Sequence, residues 1–317
     1  MRILVVDLLG GLGDLIMALP AVHALAEHHP AAEVTVLTHA PGAVLLARDP
    51  AVSAVRTADK HGERGAVEAA LAAVRPDLAV TTTRFDGIGD LLDADAARRG
   101  TRAVTNLWRR PPPDELVAQR YLAILAAEGV VAPGGRAPRV VLGDDECALG
   151  RADLAHLRGR PVVLVPDAGM AVKRWPAARW AALARTLGPG TASVGPVDGA
   201  VGLAPVDLRR LAARFAAVAE RDGVVVGPDT GPVRLAAAVG ARTVGLFGPT
   251  LAARYGLADS EHDRGEDLQG LPGCPHRRPT AITEQVCWWD AACPISDTGP
   301  ACLEDLTVAR VAAAVTG

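Results

Sequence analysis

Short apolar runs alternate with stretches of helical periodicity along the first half of the chain. RILVVDLL near the start, EVTVLTH (33–39) and DLAVTTT (77–83) read as strands. Between them DLIMALPAVHALAEHHP (14–30), GAVLLARD (42–49) and GERGAVEAALAAVRP (62–76) repeat apolar residues every three or four positions and read as helices. Strands separated by helices of this length imply right-handed crossovers and a parallel sheet. A proline-rich loop, a helix over Asp114 to Glu128 and a Pro/Gly-rich stretch then break the rhythm. A second set follows: a helical DECALGRADLAHLRG, a strand over Pro161 to Val165, then helices over 177–187, 207–220 and 232–240 alternating with strands near 192–195, 223–227 and 242–248. The pattern predicts an α/β chain with two open parallel-sheet halves. Ligands in such sheets bind beyond the carboxyl ends of the strands, so two halves facing each other would enclose a central cleft.

Composition narrows the function classes. Formal charge is -3 over 317 residues, so the chain carries no basic field for nucleic acid or an anionic membrane. No apolar run approaches the roughly 18 to 20 residues of a membrane span, and Asp7 and Asp14 interrupt the first one before a signal-peptide core is complete. A cytoplasmic protein with no transmembrane segment is expected. Five cysteines, an odd number, argue against a disulfide framework and leave free thiols or metal ligands.

Three motifs carry candidate chemistry. In VVVGPDTGPVRLAAAVG a buried strand runs into Asp229, which can cap the next helix; Pro232 suits the first turn and Gly240 a left-handed stop. Thr230 and Gly231 then expose backbone N–H groups that a diphosphate can approach, although a well-capped βαβ unit needs no ligand to explain it. In VPDAGMAVKRWPAARW a small-residue loop that includes Gly169 delivers Lys173, with Trp175 as its anchor; this is either a point charge for phosphate or a solvated surface lysine. The opening turn LLGGLGD contains Gly11 and Gly13 but has Ile16 where a dinucleotide fingerprint needs a third small residue. Asp14 there is either a partly desolvated general base or a plain helix cap.

Taken in order, Gly13-Asp14, Lys173 to Pro176, and Asp229 to Pro232 followed by Leu246 to Thr250 resemble glycosyltransferase family 9, the bacterial heptosyltransferases. The resemblance implies a GT-B fold of two Rossmann-like parallel-sheet domains: an acceptor-side domain over 1–157, a nucleotide-sugar domain over 158–302, and a C-terminal helix over 303–317 that packs back on the first domain. It implies metal-independent, inverting transfer of heptose from a nucleotide-heptose, ADP-heptose foremost, to a hydroxyl of a glycolipid core or a small molecule. By position, Asp14 would be the base, Thr230 and Gly231 would hold the diphosphate with Asp229 organising their loop, and Lys173 would neutralise the leaving nucleotide. Arg234 stands where the family often has histidine and can contact phosphate. A nucleotide-sugar epimerase and a non-catalytic nucleotide-sugar or redox-sensing module are the alternatives. Near the C-terminus Cys274, Cys287, Cys293 and Cys302 either tie an irregular loop around zinc or iron or pack as thiols, since their spacings lack the short hairpins of zinc ribbons.

Overall fold

The structure, a computed structural model, describes residues 1–109, 111–257 and 265–317. They form two compact units, one of Met1–Pro111 with Val117–Val141, the other of Pro112–Leu116 with Leu142–Gly317. The first unit is a five-stranded sheet: β1 (Arg2–Asp7), β2 (Glu33–His39), β3 (Ala54–Ala58), β4 (Leu78–Thr81) and β5 (Arg102–Val104). All neighbours are parallel, in the order β3-β2-β1-β4-β5. Helices α1 (Leu12–His28), α2 (Ala40–Ala43), α3 (Glu63–Val74), α4 (Ile88–Arg99) and α5 (Val117–Ala127) belong to the same unit. β1 lies at the centre of the sheet, and Ile3 to Val6 are buried, which is why this strand reads as an unbroken apolar run.

The second unit opens with α6 (Asp144–Leu154) and builds a six-stranded parallel sheet, β11-β10-β9-β6-β7-β8. Its strands are β6 (Val162–Leu164), β7 (Thr191–Ser193), β8 (Val201–Gly202), β9 (Val224–Pro228), β10 (Arg242–Phe247) and β11 (Gly265–Gln269). The helices are α7 (Ala177–Leu187), α8 (Leu208–Ala219), α9 (Gly231–Ala238), α10 (Ala252–Tyr255), α11 (Ala301–Glu304) and α12 (Val308–Thr316). The core joins Leu164, Trp175, Trp180, Val226, Leu246 and Val311.

Two expected boundaries move. The division falls between Val141 and Leu142 rather than after residue 157, because α6 packs on α8; Gly150 lies so close to Ala213 that a Cβ there would collide with its backbone. The closing helix, expected on the first domain, packs within the second unit. α12 buries Val311, Ala314 and Val315 in the second core against α7 and β10, and Arg242 donates to the carbonyls of Val315 (2.9 Å) and Ala314 (2.7 Å). Among the described residues no helix is long and apolar enough to cross a membrane.

Candidate active site

In the second unit, β9 delivers Asp229 to the start of α9. Thr230, in extended conformation, occupies the N-cap position expected for Asp229, and Gly231 and Pro232 begin the helix. The Asp229 side chain turns inward instead and is 5% exposed. Its Oδ2 accepts from Lys173 Nζ at 2.9 Å, its backbone carbonyl from the same ammonium at 3.0 Å, and its Oδ1 from Arg234 Nη2 at 2.6 Å. Burial by itself would push this carboxyl up, but the charges of Lys173 and Arg234 outweigh it and hold the group well below the usual carboxylate range. Two cations and one anion leave the cluster with a net positive charge beneath the open N–H groups of α9.

Each member is fixed by neighbours. Lys173 ends a single 3-10 turn over Ala171–Lys173, and its ammonium lies 5.5 Å from the Trp288 ring centre. Trp175 is buried, meets Trp180 edge to face, and donates Nε1–H to the Leu306 carbonyl at 2.9 Å. Gly169 is exposed in the preceding loop, with open space where a Cβ would stand. Arg234, expected to contact phosphate, is buried, and its Nη2 is shared by Asp229 and the Tyr255 carbonyl. Its spacing of five from Asp229 identified the position but could not show which way the side chain turns.

In the first unit the chain leaves β1 through Gly10, whose φ of +98° is open to glycine, and enters α1 at Gly11. Gly13 lies in the first turn, and Asp14, one residue further on, accepts from the Gly11 N–H at 3.2 Å through Oδ2. A Cβ on Gly11 would stand 2.5 Å from that oxygen, so a larger residue there would displace the carboxylate from its folded-back position. The local geometry is thus that of a capping acid, and a carboxylate so held is also oriented.

One acid here was read only as an interruption of an apolar run. Asp7 closes β1 and is 2% exposed, with its Oδ1 accepting from the Thr82 hydroxyl. Burial first, then the charge of Asp14, raises its pKa to about 7 against the smaller opposing effect of Thr82. An acid raised on folding binds a proton that the unfolded chain releases, so between about pH 4 and 7 rising pH lowers stability, which then stays lower. Asp7→Asn is expected to flatten this dependence and to stabilise the protein at pH 8 by several kcal/mol, on the order of 4, as read by denaturant unfolding at pH 5 and pH 8.

Beyond the strand ends of the same unit lies a pocket of about 910 Å³ lined by Thr83, Arg84, Phe85, Asp90, Asn106 and Trp108 among others. The Arg84 guanidinium lies 4.8 Å from the Trp108 ring centre, and Trp108 is fixed by donating to the Thr82 carbonyl at 2.8 Å. Phe85 is substantially exposed. Nothing local in the sequence marks Arg84; its approach to Trp108, 24 positions away, is a tertiary fact.

The four C-terminal cysteines line one pocket with His276, Arg277 and Gln285. Burial pushes the Cys302 thiol up to about 12 and raises Cys287 as well. The Cys302 and Cys287 thiols, so held protonated, are poor nucleophiles. Among the described residues no group of three or more His, Cys, Asp or Glu is arranged to hold a metal, so the donors for zinc or iron are near one another without forming a ligand set.

Comparison with known proteins identifies the fold. A crystal structure of a family 9 glycosyl transferase from Veillonella parvula DSM 2008 matches over 99% of this chain and 96% of its own, with TM-score 0.74 and 15% identity. The E. coli ADP-heptose lipopolysaccharide heptosyltransferase II matches over 100% and 98%, with TM-score 0.68 and 17% identity. The E. coli heptosyltransferase WaaC with ADP covers 90% of this chain and 96% of its own, at TM-score 0.59 and 17% identity. A search of curated protein sequences gives no match. The likeness is one of fold: these structures are GT-B glycosyltransferases, and the two parallel-sheet units of this chain share their architecture. The model of glycosyltransferase family 9 (heptosyltransferase) matches residues 203–264, a segment that includes β9, α9 and β10.

Proposed function

We propose that the protein is an inverting heptosyltransferase whose donor is a nucleotide-heptose, with ADP-heptose as the first candidate. The observation that carries this reading is the Lys173, Asp229 and Arg234 cluster at the head of α9, of which Asp229 and Arg234 lie inside the segment that the family model matches. As the bond between the anomeric carbon and the diphosphate oxygen breaks, its electron pair departs with the nucleotide. The developing negative charge is met by the Gly231 end of α9 and by Lys173, which Asp229 holds in place, so no reorganisation is needed at that moment. The acceptor oxygen bonds the anomeric carbon from the opposite face while Asp14 takes its proton.

The acceptor is assigned to the first unit. Stacked Arg84 and Trp108, exposed Phe85, Asp90 and Asn106 suit a sugar-bearing acceptor, with ring faces packed on the aromatics and hydroxyls bonded to the acid and amide. Both a glycolipid core and a small glycoside present these groups. Placing the protein in the cytoplasm, where nucleotide-sugars are made, is part of the same reading.

Thermal denaturation with ADP, GDP and UDP tests the donor. ADP at a hundredfold excess over its Kd stabilises by about 2.7 kcal/mol, and a selective rise in Tm with ADP is expected. Equal shifts with all three nucleotides would remove the case for an adenine donor, and no shift with any would remove the site.

A further inference from the structure

We propose that His39 is a positioning residue for Asp14: its ring takes over the pairing of β1 where the sheet ladder ends and so fixes the turn that carries the carboxylate. This rests on the reading of Asp14 as the base. The ladder between β1 and β2 runs from Arg2 opposite Glu33 to Asp7 opposite Thr38, and there it stops. One residue further on Leu8 is fully buried, so its N–H and its carbonyl each need a partner from beyond the ladder. Side chains supply both. The Thr83 hydroxyl accepts from the Leu8 N–H at 2.9 Å, and His39 Nε2 lies 3.3 Å from the Leu8 carbonyl.

The ring is itself held. His39 closes β2, is buried, and places Nδ1 3.1 Å from the carbonyl of Ala58, the residue opposite it on β3. A neutral imidazole carries one N–H and serves only one of the two carbonyls, whereas the charged ring serves both. Glu63, at the start of α3, stands 3.7 Å from Nε2 and draws a proton to the side that faces Leu8. The path from Leu8 to the carboxylate is short. After Leu9 the chain turns at Gly10, and Gly11 then gives its N–H to Asp14 Oδ2 at 3.2 Å. His39, Gly10 and Gly11 line one pocket of about 330 Å³, so the ring and the turn share a wall. A tether three residues ahead of the Gly11 N–H therefore sets where the carboxylate stands, and a displacement on the order of 1 Å is enough to slow a positioned group.

Two substitutions at this one position separate positioning from plain stability. The amide nitrogen of glutamine reaches about as far from the backbone as Nε2, and that of asparagine about as far as Nδ1. His39→Gln therefore keeps a donor for Leu8 and gives up Ala58, and His39→Asn does the reverse. Each loses one hydrogen bond, so their urea midpoints should fall alike. In transfer assays of the full chain His39→Asn is expected to lower kcat about tenfold to a hundredfold at unchanged donor KM, while His39→Gln keeps most of the rate. Equal rates in the two variants, or the larger loss in His39→Gln, overturn the proposal. A second measurement needs no substrate: the Gly11 amide signal of ¹⁵N-glycine-labelled protein, assigned by its loss in Gly11→Ala. In His39→Asn it is expected to move toward its position in Asp14→Ala, where no carboxylate accepts from it, and in His39→Gln to stay. An unmoved signal in His39→Asn breaks the tether. Should that variant not fold, Thr83→Val frees Leu8 at its N–H and is expected to move the same signal the same way; a signal unmoved there is equally fatal. If no donor and acceptor give turnover, the glycosyl-transfer reading fails on its own, and the Gly11 signal still decides whether His39 holds the turn.

Discussion

Asp14→Asn is expected to lower transfer about 10²- to 10⁴-fold, the range that a positioned general base contributes, while ADP binding stays near the wild-type value. An asparagine oxygen still accepts from the Gly11 N–H that the carboxylate holds at 3.2 Å, so the turn and the start of α1 persist. What is lost is the negative charge and the proton acceptor. Reduced kcat with unchanged nucleotide affinity, measured by initial rates and by calorimetry, is the signature. A variant with full activity would return Asp14 to the role of a cap.

The second large effect is on stability. Asp229→Ala is expected to cost roughly 3 to 5 kcal/mol, because it strands Lys173 and Arg234, both partly or fully buried, without their shared anion. Denaturant unfolding measures this, and the same variant should lose the ADP-dependent rise in Tm. The pH dependence has a definite sign. The folded chain holds Asp229 below its unfolded value, so its contribution is present above about pH 4 and disappears as acid is added. Asp7 behaves oppositely, and its ionisation costs stability. A loss below 1 kcal/mol in Asp229→Ala would mean that the cations relax to water and that the cluster is not preorganised.

Much of the fold is legible in the sequence where the elements are buried on both faces. β1, β2, β9 and β10 are apolar runs between turn signals, and α8 shows both its stripe and its cap, with the Asp207 side chain accepting from the Arg210 N–H. The elements that escape are those whose stability comes from their neighbours. β3 is an edge strand with mostly exposed residues, β11 carries Glu266 and Asp267, and α4 is a charged helix with acids and arginines on much of its surface. The same limit governs the site. Gly13-Asp14, Lys173 and Asp229 are visible as motifs, but the bond between Lys173 and Asp229 joins positions 56 apart and belongs to the sheet, not to local spacing. An acid at the end of an apolar strand looks like punctuation until its burial beneath Thr82 is seen.

The segment Pro112–Leu116 belongs to the second unit although its flanks belong to the first. Pro112 offers its carbonyl to Nη1 of Arg254 at 2.8 Å, and Arg254 is among the most deeply buried side chains of the protein. The chain therefore enters the second unit twice. A fragment cloned from Leu142 onward would lack one acceptor for an enclosed guanidinium, and a second unit made for separate study should carry residues 112–116 with it.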